Sequence, residues 1–178
     1  MPAPSPLAPA AFPALAPLPG LELAGIPIGL KNRAGARDLL VARFAPGTTA
    51  AGVLTRSLCA SAPVEWCRKA LKHGRARALV VNSGNSNAFT GQSGRDLVAD
   101  TLAAAAKHFG CAEKEVYLAS TGVIGQKVPR GHIAAKLPEA ARELRPDAWA
   151  DAAAAIMTTD TFPKAATRKV ALGGVTVT

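Results

Sequence analysis

The chain has 178 residues, of which 49% are apolar, so it is long and hydrophobic enough for a folded domain and is not a disordered tail. Its net charge of +9 is compatible with a nucleic acid, an acidic protein partner or an anionic substrate. Aromatic residues make up only 4% of the sequence, which argues against a module that stacks bases. We therefore expect no nucleic acid among its partners. No apolar stretch is long enough to span a bilayer, so we expect no membrane either.

The cysteines are odd in number and lie far apart, at Cys59, Cys67 and Cys111. No C-x-x-C pair occurs, so neither a zinc site nor a disulfide framework is indicated, and we expect no metal. This cysteine usage is typical of a cytoplasmic protein.

The first twenty residues, MPAPSPLAPAAFPALAPLPG, carry no charge and contain half of the chain's 14 prolines. The prolines interrupt the apolar helix that a signal peptide requires, and the basic start of such a peptide is missing as well. We therefore predict an extended Pro/Ala-rich arm over residues 1–20 and a single domain over residues 21–178.

Beyond the arm, strand-like and helix-like segments alternate along the chain, which predicts an α/β fold. Apolar and partly alternating runs predict strands at residues 39–44, 50–55, 77–81, 116–119 and 169–178. Helical spacing of apolar residues predicts helices at residues 63–74, 92–109, 129–142 and 147–157. Pro138 should bend the third helix and Asp147 should cap the fourth. A turn is expected at Gly173-Gly174.

The first candidate motif is NSGNSNAFTG at residues 82–91, between a predicted strand and a long helix. Such a loop can present backbone N–H groups and the start of a helix to an anion. It lacks the Lys-Ser/Thr pair of a phosphate loop, so nucleotide binding is weakly supported. The sequence favours the other interpretation, an elaborate turn whose asparagine side chains bond their own backbone.

The second candidate motif, Ser120-Thr121-Gly122, follows the predicted strand at 116–119. A side-chain hydroxyl beside an exposed backbone N–H is the donor pair that stabilises the oxyanion of acyl transfer. A simple turn is the alternative. Ser120 is a weak candidate nucleophile, because no G-x-S-x-G elbow surrounds it. No recognisable triad joins it to a histidine of the chain, namely His73, His108 or His132.

The third candidate motif is MTTDTFPK at residues 157–164, where the fourth predicted helix ends. The hydroxyls of Thr158 and Thr159 can donate to a bound carboxylate, and Asp160 can accept from an ammonium group. A helix C-terminus with local side-chain bonds explains the same residues, and the sequence leaves both interpretations open.

These three motifs, in this order and together with GVLTRSLCASAPVEWC at residues 52–67, resemble the α chain of ornithine acetyltransferases. The resemblance runs from about Gly25 to the end of the chain. It implies an α/β fold with sheets sandwiched between helices (αββα-like) that is completed by a β chain. It also implies a precursor that cuts itself just before a threonine, and a dimer of αβ pairs.

The resemblance further implies a reaction and a set of residues. An acetyl group moves from N-acetyl-L-ornithine to the first threonine of the β chain and then to L-glutamate, and some members also accept acetyl-CoA; no cofactor is implied. Thr121 and Gly122 match the family's oxyanion hole, and Thr158 matches a substrate-binding threonine. The nucleophile lies outside this chain, so Thr178 does not have that role, and the chain is expected to be active only with its β chain. Phe89 replaces a cysteine that is usual in the family.

Other functions remain as alternatives at this point. A self-cleaving aminopeptidase of similar architecture would share the threonine chemistry but hydrolyse a peptide. A basic nucleic-acid-binding module would bind with an affinity that falls steeply with salt. A chain kept only as a structural subunit would tolerate replacement of Thr121.

Overall fold

The computed structural model describes residues 5–178 and contains one four-stranded sheet, a separate hairpin and four helices within that range. The strands are β1 (Leu21–Ile26), β2 (Leu39–Phe44), β3 (Ala78–Asn85), β4 (Val116–Val123), β5 (Val170–Leu172) and β6 (Val175–Val177). The helices are α1 (Ala62–Ala70), α2 (Gly91–Phe109), α3 (Leu137–Arg142) and α4 (Trp149–Ile156). Short 3₁₀ turns lie at Glu113–Glu115 and Ala134–Lys136.

The four-stranded sheet has the order β1-β2-β3-β4. Its first three strands pair antiparallel, and β3 pairs parallel with β4. Because parallel strands end at the same edge of a sheet, β3 and β4 bring two of the candidate motifs side by side. The paired residues there are Asn82 with Ser120, Ser83 with Thr121 and Gly84 with Gly122.

Both faces of the sheet are covered by helices. The larger core contains Leu39 and Val41 of β2 and the buried faces of α1, α2 and α3. The smaller core contains the alternate β2 residues Leu40 and Ala42 and the buried face of α4. Strands buried on both faces are apolar at successive positions, as the run at residues 39–42 is. The predicted α/β class, with a sheet sandwiched between helices, is therefore confirmed.

Helix α4 approaches the sheet unusually closely. A Cβ atom placed on Gly25 would lie 2.2 Å from the carbonyl oxygen of Asp151, so only glycine fits at this position of β1. Small buried residues face the sheet here, namely Ala152 and Ala155 of the helix and Ala148 just before it. This contact fixes the height of the first turn of α4 above the sheet.

Several sequence predictions are confirmed and several are wrong. The strand at 39–44, the long helix ending at Gly110 and the helix beginning near Pro63 are present. No strand forms at residues 50–55, where the Val53 side chain is 98% exposed and packs against no apolar surface. Strand β1 was not predicted from the sequence. The segment at 129–142 forms a 3₁₀ turn and then α3, because Pro138 sits in a first helical turn, where its missing N–H costs nothing.

Asp147 does not cap α4 through its side chain, so that prediction is wrong. Ala148 precedes the helix, and the carboxylate of Asp147 instead forms an ion pair of 3.2 Å with Arg145. The backbone carbonyl of Asp147 accepts a hydrogen bond from the N–H of Trp149.

The described part of the arm, residues 5–20, contains no helix or strand, and residues 1–4 of the predicted arm lie outside the described residues. Two of its carbonyl groups accept hydrogen bonds from the rest of the chain. Trp149 Nε1, in α4, donates to the carbonyl of Ala16 at 3.3 Å, and the N–H of Ala45, just after β2, donates to that of Gly20 at 2.7 Å. The division into an arm at 1–20 and one domain at 21–178 stays a prediction. Over residues 5–178, the helices are too short or too polar to cross a bilayer.

The hairpin of β5 and β6 turns at Gly173-Gly174, as predicted, with positive φ at both glycines. Its register pairs Val170 with Val177 and Leu172 with Val175, so these four aliphatic side chains share one face. They remain 47–63% exposed. The hairpin therefore presents an uncovered aliphatic face.

Candidate functional site

The candidate oxyanion residues lie inside a strand rather than after it. Strand β4 continues to Val123, because the pairing with β3 extends through Ser120, Thr121 and Gly122. The prediction that the strand ends at Ala119 is therefore wrong. The sequence of 120–122 resembles a turn, and only the parallel neighbour holds it in extended form.

Three backbone segments are stacked at this end of the sheet. A Cβ atom on Gly122, whose φ is +132°, would lie 2.4 Å from the carbonyl carbon of Gly84. A Cβ atom on Gly84, whose φ is +97°, would lie 2.7 Å from the carbonyl oxygen of Leu30. Both glycines are thus required by backbone packing.

One cavity of about 470 Å³ collects the candidate residues. The neighbouring residues Thr121 and Gly122 line it together with Thr158, which lies much further along the chain. The other lining residues are Leu30, Lys31, Asn32, Gly84, Val123, Gln126 and Thr159. A larger cavity, of about 620 Å³, lies between the arm and the other end of the sheet and contains none of the predicted site residues.

The threonine hydroxyls of this cavity are available to a ligand. Within residues 5–178, the side chains of Thr121, Thr158 and Thr159 make no hydrogen bond. Asp160 does not line this cavity; its carboxylate pairs with the ammonium group of Lys164. That hydrogen bond lowers the pKa of Asp160. The ammonium group expected at Asp160 is thus a side chain of this chain, that of Lys164.

Asp38 is a site-forming residue that sequence reasoning missed. Its carboxylate is fully buried and accepts backbone N–H groups from Ile28 at 2.5 Å, Leu30 at 2.6 Å and Lys31 at 3.0 Å. These bonds hold the segment that packs on Gly84 and forms one wall of the cavity. A lone aspartate beside an arginine gives no sequence signal, since it resembles an ordinary surface charge.

Lys31 forms part of the cavity wall next to this segment. Its ammonium group donates to the carbonyl of Arg37 at 2.7 Å and to that of Ala154, in α4, at 3.4 Å. Burial lowers the pKa of Lys31, the charge of Asp38 opposes that effect, and the charge of Arg33 adds to it. Lys31 thereby joins the β1–β2 connection to the last turn of α4.

The asparagine-rich motif is bonded to its own surroundings. The side-chain amides donate to carbonyl groups, from Asn82 to Asn85 at 2.8 Å, from Asn85 to Gln126 at 2.6 Å and from Asn87 to Gly94 at 3.1 Å. This pattern supports the interpretation as an elaborate turn over that as an anion-binding loop. Asn87 and Phe89 adopt positive φ, and the Phe89 ring is 71% exposed, so it stays out of the core.

Ser120 is not arranged as a nucleophile. Its hydroxyl donates to the side-chain oxygen of Asn82 at 2.5 Å. His132 Nε2 lies 2.8 Å from the carbonyl oxygen of Ile28, and the rings of His108 and Phe109 form a T-shaped pair. No serine–histidine hydrogen bond occurs among residues 5–178.

The cysteines and acidic residues form no metal centre in the part of the chain that the structure describes. Cys59 is exposed, Cys67 is buried and Cys111 is partly buried, and all three are free thiols. Burial raises the pKa of the Cys67 thiol, which donates to the carbonyl of Leu118 at 3.1 Å. Cys67 is therefore a packing residue of α1 rather than a reactive thiol.

Two solved structures share this fold. The ornithine acetyltransferase of Mycobacterium tuberculosis, solved in complex with ornithine, matches with a TM-score of 0.73 and 38% identity over 82% of this chain and 79% of that chain. The arginine biosynthesis bifunctional protein argJ of Bacillus halodurans matches with a TM-score of 0.73 and 31% identity, over 89% of this chain and 83% of that chain. The fold is thus that of chains from a solved ornithine acetyltransferase and a solved argJ protein.

The ArgJ family model matches residues 22–178, and the chain belongs to the ArgJ family. Relatives named arginine biosynthesis bifunctional protein ArgJ include those of Brucella suis, 51% identical over 174 residues, and Nitrobacter winogradskyi, 52% identical over 178 residues. Each alignment covers 98% of this chain and 42% of the relative, so the chain spans less than half the length of these proteins. The resemblance inferred from the three motifs is confirmed.

Proposed function

We propose that this chain is the α chain of an acetyltransferase that moves an acetyl group from N-acetyl-L-ornithine to L-glutamate through an acyl-enzyme. One observation carries the proposal: a single cavity is lined by Thr121, Gly122 and Thr158, with both threonine hydroxyls available. Membership of the ArgJ family and the likeness to an ornithine acetyltransferase support it.

In the proposed reaction, the hydroxyl oxygen of a β-chain threonine adds to the acetyl carbonyl carbon, and its proton passes to the α-amine of the same threonine. The carbonyl oxygen becomes an oxyanion, which accepts hydrogen bonds from the Thr121 hydroxyl and the Gly122 N–H. The amide C–N bond then breaks, and the ornithine nitrogen leaves with the proton. The neutral amine of glutamate then attacks the resulting ester through a second oxyanion at the same place. The ester C–O bond breaks, and a proton from the attacking amine passes through the α-amine to the threonine oxygen, which restores the hydroxyl.

Thr158 is assigned to substrate binding. It lies in the loop after α4, on the same cavity as the proposed oxyanion hole. Its hydroxyl can donate to a carboxylate, a group that N-acetylornithine and glutamate both carry. Thr159, which lines the same wall, is the weaker choice because no family match supports it. The chemistry assigned to these residues requires no cofactor, and acetyl-CoA is a possible second acetyl donor.

The proposal includes a β chain cut from the same precursor. Three observations support it: the relatives are more than twice as long, β4 is an edge strand beside the cavity, and the hairpin face of Val170, Leu172, Val175 and Val177 is uncovered. With a net charge of +9 here, we expect the β chain to be less positive or negative. The assembled unit is proposed to be a cytoplasmic dimer of αβ pairs.

The proposal is tested on the full-length protein. An intact mass should reveal two polypeptides, the second beginning with threonine. The purified material should transfer acetyl from N-acetylornithine to glutamate and should show little amide hydrolysis of peptide substrates. A single uncut polypeptide without transferase activity would refute the proposal, and hydrolysis in place of transfer would favour the aminopeptidase alternative.

A further inference from the structure

A buried hydroxyl joins strand β3 to the end of helix α4. Ser83 is fully buried, and its Oγ donates to the carbonyl oxygen of Ala155 at 2.5 Å. Ala155 lies in the last turn of α4, where carbonyl groups have lost their intrahelical donors. Ser83 therefore caps the C-terminus of this helix from a neighbouring strand.

The two ends of this hydrogen bond lie beside the two halves of the candidate site. On one side, Ser83 pairs with Thr121 in the sheet register and precedes Gly84, which lines the cavity. On the other side, Met157 leaves the helix in an extended conformation, and Thr158 follows it. The bond thus connects the strand pair that holds Thr121 to the loop that holds Thr158.

At the C-terminal end of α4, Ser83 and Lys31 supply the side-chain hydrogen bonds from outside the helix, and Ala155 is buried in the smaller core. The guanidinium group of Arg37 forms an ion pair of 3.0 Å with Asp151, in the first turn of α4. The Lys31 ammonium group reaches the carbonyl of Ala154 only at 3.4 Å. The bond from Ser83 is shorter than either, and it is buried.

We propose that Ser83 is a positioning residue that sets the placement of Thr158 relative to Thr121 and Gly122. It acts through the carbonyl of Ala155 and lies outside the lining of the cavity. Loss of this bond frees the loop after α4 while the glycine contact of β3 with β4 stays in place. The inference rests on the proposed function, because it assigns Thr158 to substrate binding and Thr121 to the oxyanion hole.

The test is Ser83→Ala in the full-length protein, assayed for acetyl transfer. We expect KM for N-acetylornithine to rise about fivefold, the effect of losing one buried hydrogen bond, with kcat changed less than about twofold. The matched control is Thr101→Val, which removes another buried hydroxyl that donates to a helix carbonyl, that of Leu97 at 2.7 Å. Thr101→Val should leave KM unchanged, even where it lowers the thermal midpoint as much as Ser83→Ala does.

A double-mutant cycle separates positioning from general loss of stability. In a Thr158→Ala background, Ser83→Ala should raise KM by less than about twofold further, since the residue through which it acts is already absent. Its effect on the thermal midpoint should persist in that background. Equal effects on KM in both backgrounds would overturn the inference.

Ser83→Cys provides a second variant if Ser83→Ala does not fold. A thiol is a weaker donor of similar size, so the KM of the cysteine protein should lie between those of the serine and alanine proteins. If the alanine protein does not fold, the KM of the cysteine protein should still exceed that of the serine protein. An unchanged KM in an active enzyme carrying either substitution would overturn the inference and leave the proposed function intact. Absence of acetyl transfer in the unsubstituted protein would instead overturn the proposed function, and with it the premise of this inference.

Discussion

Gly122 lies against the backbone of Gly84, so that a Cβ atom on Gly122 would be 2.4 Å from the Gly84 carbonyl carbon. This contact fixes the separation of β3 and β4 where both reach the candidate site. It also explains why the site has no side chain at residue 122.

Replacement of Gly122 by alanine should therefore both destabilise the fold and abolish activity. We expect a loss of about 3 kcal/mol or more in the free energy of unfolding, because the added methyl group overlaps the backbone and the φ of +132° is unsuited to alanine. Urea denaturation measures this loss. Gly131→Ala is the control, because its φ is +74° and a Cβ atom there meets no atom within 4 Å. It should cost about 1–2 kcal/mol, and equal losses in the two proteins would contradict the packing argument.

Asp38→Asn should weaken the wall of the cavity. The amide has one acceptor oxygen where the carboxylate has two, and its NH₂ group would face a backbone donor, so we expect a loss of about 2–4 kcal/mol in unfolding free energy. Acetyl transfer should fall as well, because the segment at residues 28–31 loses its anchor. Asp147→Asn is the control: its carboxylate side chain is 68% exposed in a surface ion pair, and the change should stay within about 0.5 kcal/mol. Comparable losses in the two proteins would show that the three N–H bonds of Asp38 contribute little.

Thr121→Ala should reduce acetyl transfer about a hundredfold or more, the usual effect of removing one oxyanion donor. The fall should appear in kcat, with KM little changed, because the donor acts on charge that develops in the transition state. Thr121→Ser keeps the hydroxyl and should retain most of the activity. Both variants should be compared by steady-state kinetics, and by the rate of the proposed precursor cleavage, a reaction that would also pass through a tetrahedral centre. Full activity in the alanine protein would remove Thr121 from the mechanism.

The surface pair of Arg130 and Asp100 gives a prediction for pH dependence. Two hydrogen bonds, of 2.8 and 2.9 Å, lower the pKa of the Asp100 carboxyl, and Arg130→Gln should raise it towards the ordinary value of about 3.9. Because the folded-state pKa is lowered, the stabilisation is fully present above that ordinary value and disappears as the pH falls through the lowered one. Carbon-detected NMR titration of Asp100 measures the shift. Added salt should reduce it in the native protein, and a pKa that Arg130→Gln leaves unchanged would contradict the assignment.

The sequence could predict what short-range patterns determine. Helix α2 follows from its apolar spacing and from Gly110, which adopts the left-handed conformation after its last turn. The sequence motifs also contain Thr121, Gly122 and Thr158, which the fold brings to one cavity.

The remaining features depend on contacts between distant segments. The extension of β4 through Gly122 requires the parallel neighbour β3, and the role of Asp38 requires the fold of the β1–β2 connection. The segment around Val53 was predicted as a strand and forms none, since an apolar run needs a partner strand to pair with.

The hairpin of β5 and β6 has a consequence for synthesis. Its two-glycine turn closes it locally, and hairpins of this kind form in about 1–10 μs, far faster than a ribosome adds residues. The valine and leucine side chains are thus displayed on a short, uncharged β-ribbon as soon as it emerges. An uncovered aliphatic ribbon offers an edge and a face on which a second chain can pair, and the shortness of its two strands limits that pairing between newly made copies.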